Sequence, residues 1–277
     1  MSHPYFGQEV LFATKHEKEK ILNPLFNEFG LKLKVGSFNT DLLGTFTGEI
    51  PRTGTPTEVA IKKARKGIEG SQLRLALASE GSIAPDPLVP FVVSDLEILA
   101  FIDTELDIEV IESYRSYEIT TATSEFLPND SLDDFLTKAD FPRHRLIAKS
   151  KVSSEVFKGI SSFEELKESI KRLHDQTGEK VILESDLRAH MSPSRAINIA
   201  RCGEKLISRL ANLCKKCEVP GFGLIGFEYG VTCSQCHVKN MRVASAEVHG
   251  CPSCDFRMSL SRNLELADPA SCSICNP

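Results

Sequence analysis

Four Cys-x-x-Cys pairs crowd the last quarter of the sequence: Cys214/Cys217, Cys233/Cys236, Cys251/Cys254 and Cys272/Cys275, with 15, 14 and 17 residues between them. Two thiolates three positions apart on a tight turn grip one side of a tetrahedral metal, and a second pair brought up by a hairpin supplies the other. Four such pairs predict two structural zinc ions per chain. The competing reading, a disulfide framework, needs an oxidising compartment that nothing else in the chain suggests. Sequential pairing is expected, with Cys214, Cys217, Cys233 and Cys236 on one zinc and Cys251, Cys254, Cys272 and Cys275 on the other. Its internal spacers of 15 and 17 residues fall inside the usual ribbon range. Interleaved pairing, Cys214/Cys217 with Cys251/Cys254, is the alternative that spacing alone does not exclude. His237 and His249 adjoin the knuckles and are expected to hydrogen-bond sulfur rather than ligate. The ninth cysteine, Cys202, reads as a core thiol.

A second group of chemically capable residues lies between 41 and 82. Asp41, Glu49 and Glu58 supply carboxylates, Lys62, Lys63 and Arg65 supply cations, and Glu80 is read at a strand end beside Gly81. Strand ends of open α/β sheets are where ligands bind. Magnesium takes one or two protein carboxylates there and completes its shell with water and substrate phosphates. Further along, Asp186, Arg188 and His190 alternate, so an extended run would present them on one face, to bind an anion, orient a base or join parts of the protein by salt bridges.

The elements that must position these residues follow from periodicity. Residues 9–13 form a short apolar strand, and Ile21, Leu22, Leu25, Phe26 and Phe29 recur at helical spacing until Gly30. Residues 31–35 alternate as a half-exposed strand. Thr55-Pro56-Thr57-Glu58 combines an N-cap, a first-turn proline and a capping-box glutamate, opening a helix to about residue 67. Strands are predicted at 73–78, 91–102, two stretches between 108 and 123, 145–149 and 181–183. Helices are predicted after Ser131, after Ser162 and from Ser192 to about residue 213. Alternating strands and helices predict an α/β fold with a mixed sheet.

The order of short motifs in the first 120 residues resembles the nucleoside-triphosphate pyrophosphatases of the inosine-triphosphatase type. The chain offers Ala13-Thr14-Lys15-His16-Glu17-Lys18, Thr53-Gly54, Glu58-Val59-Ala60-Ile61-Lys62-Lys63-Ala64 and Ser79-Glu80-Gly81-Ser82 in the family's order. Four positions depart from the family pattern: His16 and Val59 stand where it has asparagine, no lysine sits at the motif's lysine position although Lys18 and Lys20 flank it, and Ser79 removes one of two adjacent carboxylates. The resemblance implies a magnesium-dependent hydrolase in which Glu49 and Glu80 hold the metal and Lys18 and Lys63 neutralise the phosphate chain. Thr14 and His16 would hydrogen-bond the phosphates, and Glu58 or Asp41 would activate water. As a whole the chain also looks like an uncharacterised bacterial family that carries Asp-x-Arg-Ala-His, here 186–190, and a cysteine-pair tail.

Charge is uneven. Residues 1–140 carry 13 basic and 23 acidic side chains, whereas 141–217 carry 16 and 9. A polyanion or acidic partner would therefore meet the middle segment, which motivates the alternative of a non-catalytic zinc-ribbon adaptor for nucleic acid or protein. No secretory signal and no run of about 20 apolar residues is read, so a cytoplasmic protein without membrane contact is expected. The expected organisation is an α/β domain over 1–213, with its motifs at 9–125 and a basic segment at 141–213, followed by a double zinc ribbon over 214–277.

Overall fold

The computed structural model describes residues 3–14, 17–36 and 54–277. His16, Asp41 and Glu49 lie outside the described residues, as does most of the loop read between 36 and 55.

The first layer is a five-stranded mixed sheet. Strands β1 (Glu9–Ala13), β2 (Lys32–Val35) and β3 (Leu75–Pro85) run parallel, and β4 (Val93–Asp103) and β5 (Ile108–Ser116) continue antiparallel in the order β2-β1-β3-β4-β5. Helix α1 (Lys18–Phe29) ends at Gly30, whose φ of 94° an L side chain rarely adopts. Helix α2 (Pro56–Ile68) starts with the expected capping box, Thr55 and Glu58 each holding the other's backbone N–H. Alanines let α2 lie close on one sheet face, where Ala60 and Ala64 meet Ala76, Ala78 and Ala100.

The opposite face carries the larger core, where Phe12, Leu77, Leu99, Phe101 and Val110 pack against Leu22 and Phe26 of α1. Ile199, Cys202 and Leu206 of α5 (Pro193–Ala211) close it. Expelling these side chains from water supplies the main driving force, roughly 1.5–3 kcal/mol for each large aliphatic or aromatic one.

Between β5 and α5 the chain builds an antiparallel sheet in the order β6-β9-β7-β8, from β6 (Thr123–Phe126), β7 (Leu146–Lys149), β8 (Val156–Ile160) and β9 (Val181–Ser185). Helices α3 (Asp133–Lys138) and α4 (Phe163–Thr177) cover it through Phe135, Leu166, Ile170 and Leu173. The C-terminal part is a three-stranded ribbon of β10 (Gly223–Thr232), β11 (Lys239–Gly250) and β12 (Arg257–Ser261). No described helix is long and apolar enough to cross a membrane.

Two expectations are corrected. Glu80 is not at a strand end: β3 continues to Pro85, pairing residue by residue with β4, and Glu80 and Gly81 sit mid-strand opposite Ile98 and Glu97. Ser79-Glu80-Gly81-Ser82 looks like turn chemistry, but hydrogen bonding across a long hairpin overrides the local preference. The run 186–190 is not extended. The chain turns after β9: half-buried Arg188 folds back onto buried Asp186, and His190 is left exposed.

Candidate functional site: a buried charge cluster and two metal centres

Strand pleating places Asp95, Glu97, Leu99 and Phe101 on one face of β4, and Lys18 and Arg195 reach that face from the first turns of α1 and α5. Glu97 is 1% exposed and lies at the centre. Its Oε1 accepts from Arg195 Nε at 2.6 Å, and its Oε2 lies 3.6 Å from Lys18 Nζ. Arg195 also donates through Nη1 to Leu187 O at 2.6 Å, inside the Asp186–His190 turn. Asn198, one helical turn after Arg195, donates to Asp95 Oδ2 at 2.8 Å. Gly81 is the floor: a Cβ there would collide with the Arg195 guanidinium and stand 2.7 and 2.8 Å from the two Glu97 oxygens. On the other face, Lys63 of α2 bonds Glu80 at 2.5 Å, both side chains nearly fully buried. The cluster thus spans both faces of the sheet, with Lys18 and Arg195 beside Asp95 and Glu97 on one and Lys63 beside Glu80 on the other, and Thr14 buried at the end of β1.

Electrostatics sharpen the division of labour. Burial opposes ionisation of Glu97, but the charges of Arg195 and Lys18 hold its carboxyl below the usual range. Burial pulls Lys18 below the ordinary ammonium value, with Glu97 opposing. Asp95 has no cation in contact, and burial, then the neighbouring Glu97 charge, pushes it up to about 7. Buried charges cost several kcal/mol each unless paired, and groups perturbed by both burial and specific partners concentrate at functional sites.

Other candidates fall elsewhere. Glu58 is exposed, and its Oε2 accepts the Thr55 N–H at 2.8 Å, so the capping role occupies this carboxylate. Asp186 is held by Arg188 through both carboxylate oxygens. Exposed His190 lies near enough to Glu17, at the entry to α1, to help lower that carboxyl after Lys20, the larger cause. The excess of basic residues in 141–217 is largely met by acidic partners: Arg195 by Glu97, Arg209 and Lys205 by Glu112, Lys151 by Glu125 and Lys149 by Glu184. The charge asymmetry along the chain therefore reflects pairing within the fold more than an open basic face.

Asp95, Glu97, Arg195 and Asn198 were not singled out as site residues from sequence. Two signals mark them. Asp95 and Glu97 are carboxyls at i and i+2 inside an otherwise apolar strand, and Arg195 and Asn198 lie on the same stripe of their helix as Ile199, Cys202 and Leu206. Cys202 is the expected core thiol, donating at 3.5 Å to Glu97 O and Glu112 O, and burial above all pushes it up to about 12.

Among the described residues, the eight ribbon cysteines form two groups of four, and the pairing is interleaved. Cys214 and Cys217 join Cys251 and Cys254; Cys233 and Cys236 join Cys272 and Cys275. This overturns the expected sequential pairing, and Cys214 and Cys233 serve different sites. The reason is the ribbon: β10 and β11 are long enough to carry successive knuckles to opposite ends, and antiparallel pairing returns the third knuckle to the first. Sulfur–sulfur distances of 3.5–3.9 Å run between the paired knuckles. Four ligands about 2.3 Å from one zinc would stand about 3.8 Å apart, whereas a disulfide needs about 2.0 Å. Backbone N–H groups point at sulfur, from Lys216 to Cys214 and from Ser253 and Cys254 to Cys251, as thiolate ligands require. Glu218 and His237, each directly after a knuckle, share a left-handed backbone, φ 60° and 55°, and donate N–H to the carbonyls of Cys214 and Cys233. His249 bonds Glu247, not sulfur. The donor set fits two zinc ions.

No curated protein matches the chain. Among solved structures it is similar to a nucleoside-triphosphatase, titled dITP/XTP pyrophosphatase, from Mycobacterium abscessus. The identity is 17% over 39% of this chain and 70% of that one, with a TM-score of 0.29, a likeness that carries no functional argument. A family model described as a domain of unknown function, DUF6671, matches residues 63–277, which span β3 to β12, α3 to α5 and all eight ribbon cysteines, and the chain belongs to that family.

Proposed function

We propose that the chain is a metal-dependent phosphoanhydride hydrolase of nucleoside triphosphates or related nucleotides, with a double zinc ribbon as a structural tail. The observation that supports this reading best is the buried cluster of Lys18, Lys63, Arg195, Glu80, Asp95 and Glu97 at the entry to α1 and in the middle of β3 and β4. In this reading Lys18 and Arg195 meet phosphate oxygens, and Thr14 bonds the chain of phosphates. Glu80 and Glu49 would hold magnesium, which would polarise the phosphoanhydride. Lys63 sets the orientation of Glu80. Asp41 is the remaining choice for activating water, because Glu58 already accepts a backbone N–H. The body over 1–213 then carries the chemistry, and 214–277 stabilises it.

The test is release of pyrophosphate or phosphate by the zinc-loaded protein with magnesium or manganese, across standard and deaminated triphosphates. Turnover that vanishes in Arg195→Lys and Lys18→Met is the expected result. Folded protein that releases neither product from any triphosphate would retire the proposal.

A second reading, an adaptor that docks through the ribbon, is favoured by one observation. Val238, Met241 and Ile274 are exposed at the end of the ribbon that carries Cys233, Cys236, Cys272 and Cys275, beside Lys239 and Arg242. Salt-dependent capture of single-stranded RNA or DNA by the protein, lost in Lys239→Glu with Arg242→Glu, would support it over catalysis.

A further inference from the structure

Asp95 and Glu97 stand two residues apart on one face of β4, both buried, and each acts on the other's carboxyl, pushing Asp95 up and Glu97 down. Asp95 Oδ1 and Glu97 Oε2 are buried oxygens with no hydrogen-bond donor among the described residues. Each carboxyl uses its other oxygen elsewhere, Asp95 Oδ2 on Asn198 and Glu97 Oε1 on Arg195. Two neighbouring carboxylates cannot bond each other without a proton, and buried acceptors left without a donor are costly. A single proton held by the pair lowers that cost.

We infer that Asp95 and Glu97 form one proton-sharing carboxyl pair, Asp95 carrying the proton and Glu97 remaining the anion, and that this pair sets the charge with which the cluster meets an anionic ligand. The environment assigns the roles. Lys18 from α1 and Arg195 from α5 contact Glu97, while Asp95 is bonded by the neutral amide of Asn198 and feels the Arg195 charge as an opposing influence smaller than burial and the Glu97 charge. Tyr114 and Ser116 stand opposite the pair on β5, Gly81 and Ile83 opposite it on β3, and the Cys202 thiol lies against the Glu97 carbonyl. Lys63 and Glu80 pair with each other on the far face of the sheet. With the proton in place, Lys18 and Arg195 confront one negative charge and the cluster has a net positive charge toward a ligand. When the proton leaves to solvent, two negative charges balance the two cations. Affinity for an anion should therefore fall as pH rises through the titration of the pair. This last consequence rests on the hydrolase reading; the shared proton does not.

The experiment is carboxyl-carbon NMR of full-length, zinc-loaded protein labelled at aspartate Cγ and titrated from acid to alkaline pH. One aspartate is expected to titrate near neutrality and to be missing in Asp95→Asn. Its midpoint should fall by at least about one unit in Glu97→Gln, where the neighbouring negative charge is gone, and rise in Asn198→Ala, a milder change that removes the donor favouring ionisation. An Asp95 signal that titrates in the usual carboxylate range, or a midpoint that neither Glu97→Gln nor Asn198→Ala moves, would overturn the inference. Because the readout needs no turnover, a protein that titrates as described and hydrolyses nothing would remove the hydrolase reading and leave the pair standing.

Discussion

The buried cluster and the cysteine ribbon solve the same problem, several charges in one small volume, in opposite ways. The cluster draws its cations and anions from β3, β4, α1, α2 and α5, and it is closed by the protein's own charges. Four thiolates cannot be closed that way: they repel one another until a divalent ion is present, and the interleaved connectivity makes each ion a staple between distant knuckles. The ribbon therefore depends on something from solution, and the cluster depends on the rest of the fold. The two metal centres differ in the same sense. The Cys214 centre is fastened to the body, with Gly221 against Val110 and Arg209 bonded to Gly221 O, Ile111 O and Glu112. The Cys233 centre is braced within the ribbon, by Asn240 to Ser271 and Asn276 to Ala270.

The largest expected effect is metal loss. Structural zinc contributes about 10–16 kcal/mol of apparent binding energy in small zinc modules. Chelation should melt the ribbon while the far-UV signal of the body persists. Cys251→Ser should release the same zinc as Cys214→Ser, and Cys233→Ser the other, as read by zinc stoichiometry and cadmium-113 NMR of the substituted protein.

The next effect breaks the other side of the comparison. Glu97→Gln leaves Lys18 and Arg195 buried without their anion and should cost about 3–5 kcal/mol in urea unfolding, with zinc content unchanged. Gly81→Ala forces a methyl into the space of Arg195 and Glu97 and should cost about 1–3 kcal/mol, again without metal loss.

The smallest effect concerns His144, which caps α5. Its Nε2 accepts the Ser194 N–H at 3.2 Å and Nδ1 donates to Asp140 at 2.8 Å. Burial holds this imidazole below its ordinary value of 6.5, so the neutral form belongs to the folded state. The contribution is then complete above that value and lost as pH falls below it. His144→Ala should cost about 1 kcal/mol at pH 8, and the difference from wild type should shrink toward pH 5.

How much was legible follows the same division. Cys-x-x-Cys spacing announced metal because the knuckle is local, and the capping boxes at Thr55 and Ser162 were readable because a helix start is written in four residues. The knuckle pairing was not readable, because it depends on strand length and registry across β10 and β11. The α/β alternation and mixed sheet were readable from periodicity. The β8 strand was not anticipated, since Val156–Ile160 has Lys158 and Gly159 in its interior and only weak apolar alternation. Lys18, Lys63 and Glu80 could be pointed to by motif order, but Arg195 reaches Glu97 from 98 positions away, a contact no local pattern encodes.

Ligand-dependent stabilisation distinguishes the cluster from the ribbon as the place where a triphosphate binds. A triphosphate with magnesium at 100 times its dissociation constant should stabilise the protein by about 2.7 kcal/mol. That stabilisation is expected in wild type and in Cys233→Ser, and its loss in Arg195→Lys and Lys18→Met. Stabilisation that survives both cluster substitutions and disappears in Cys233→Ser would contradict binding at the cluster.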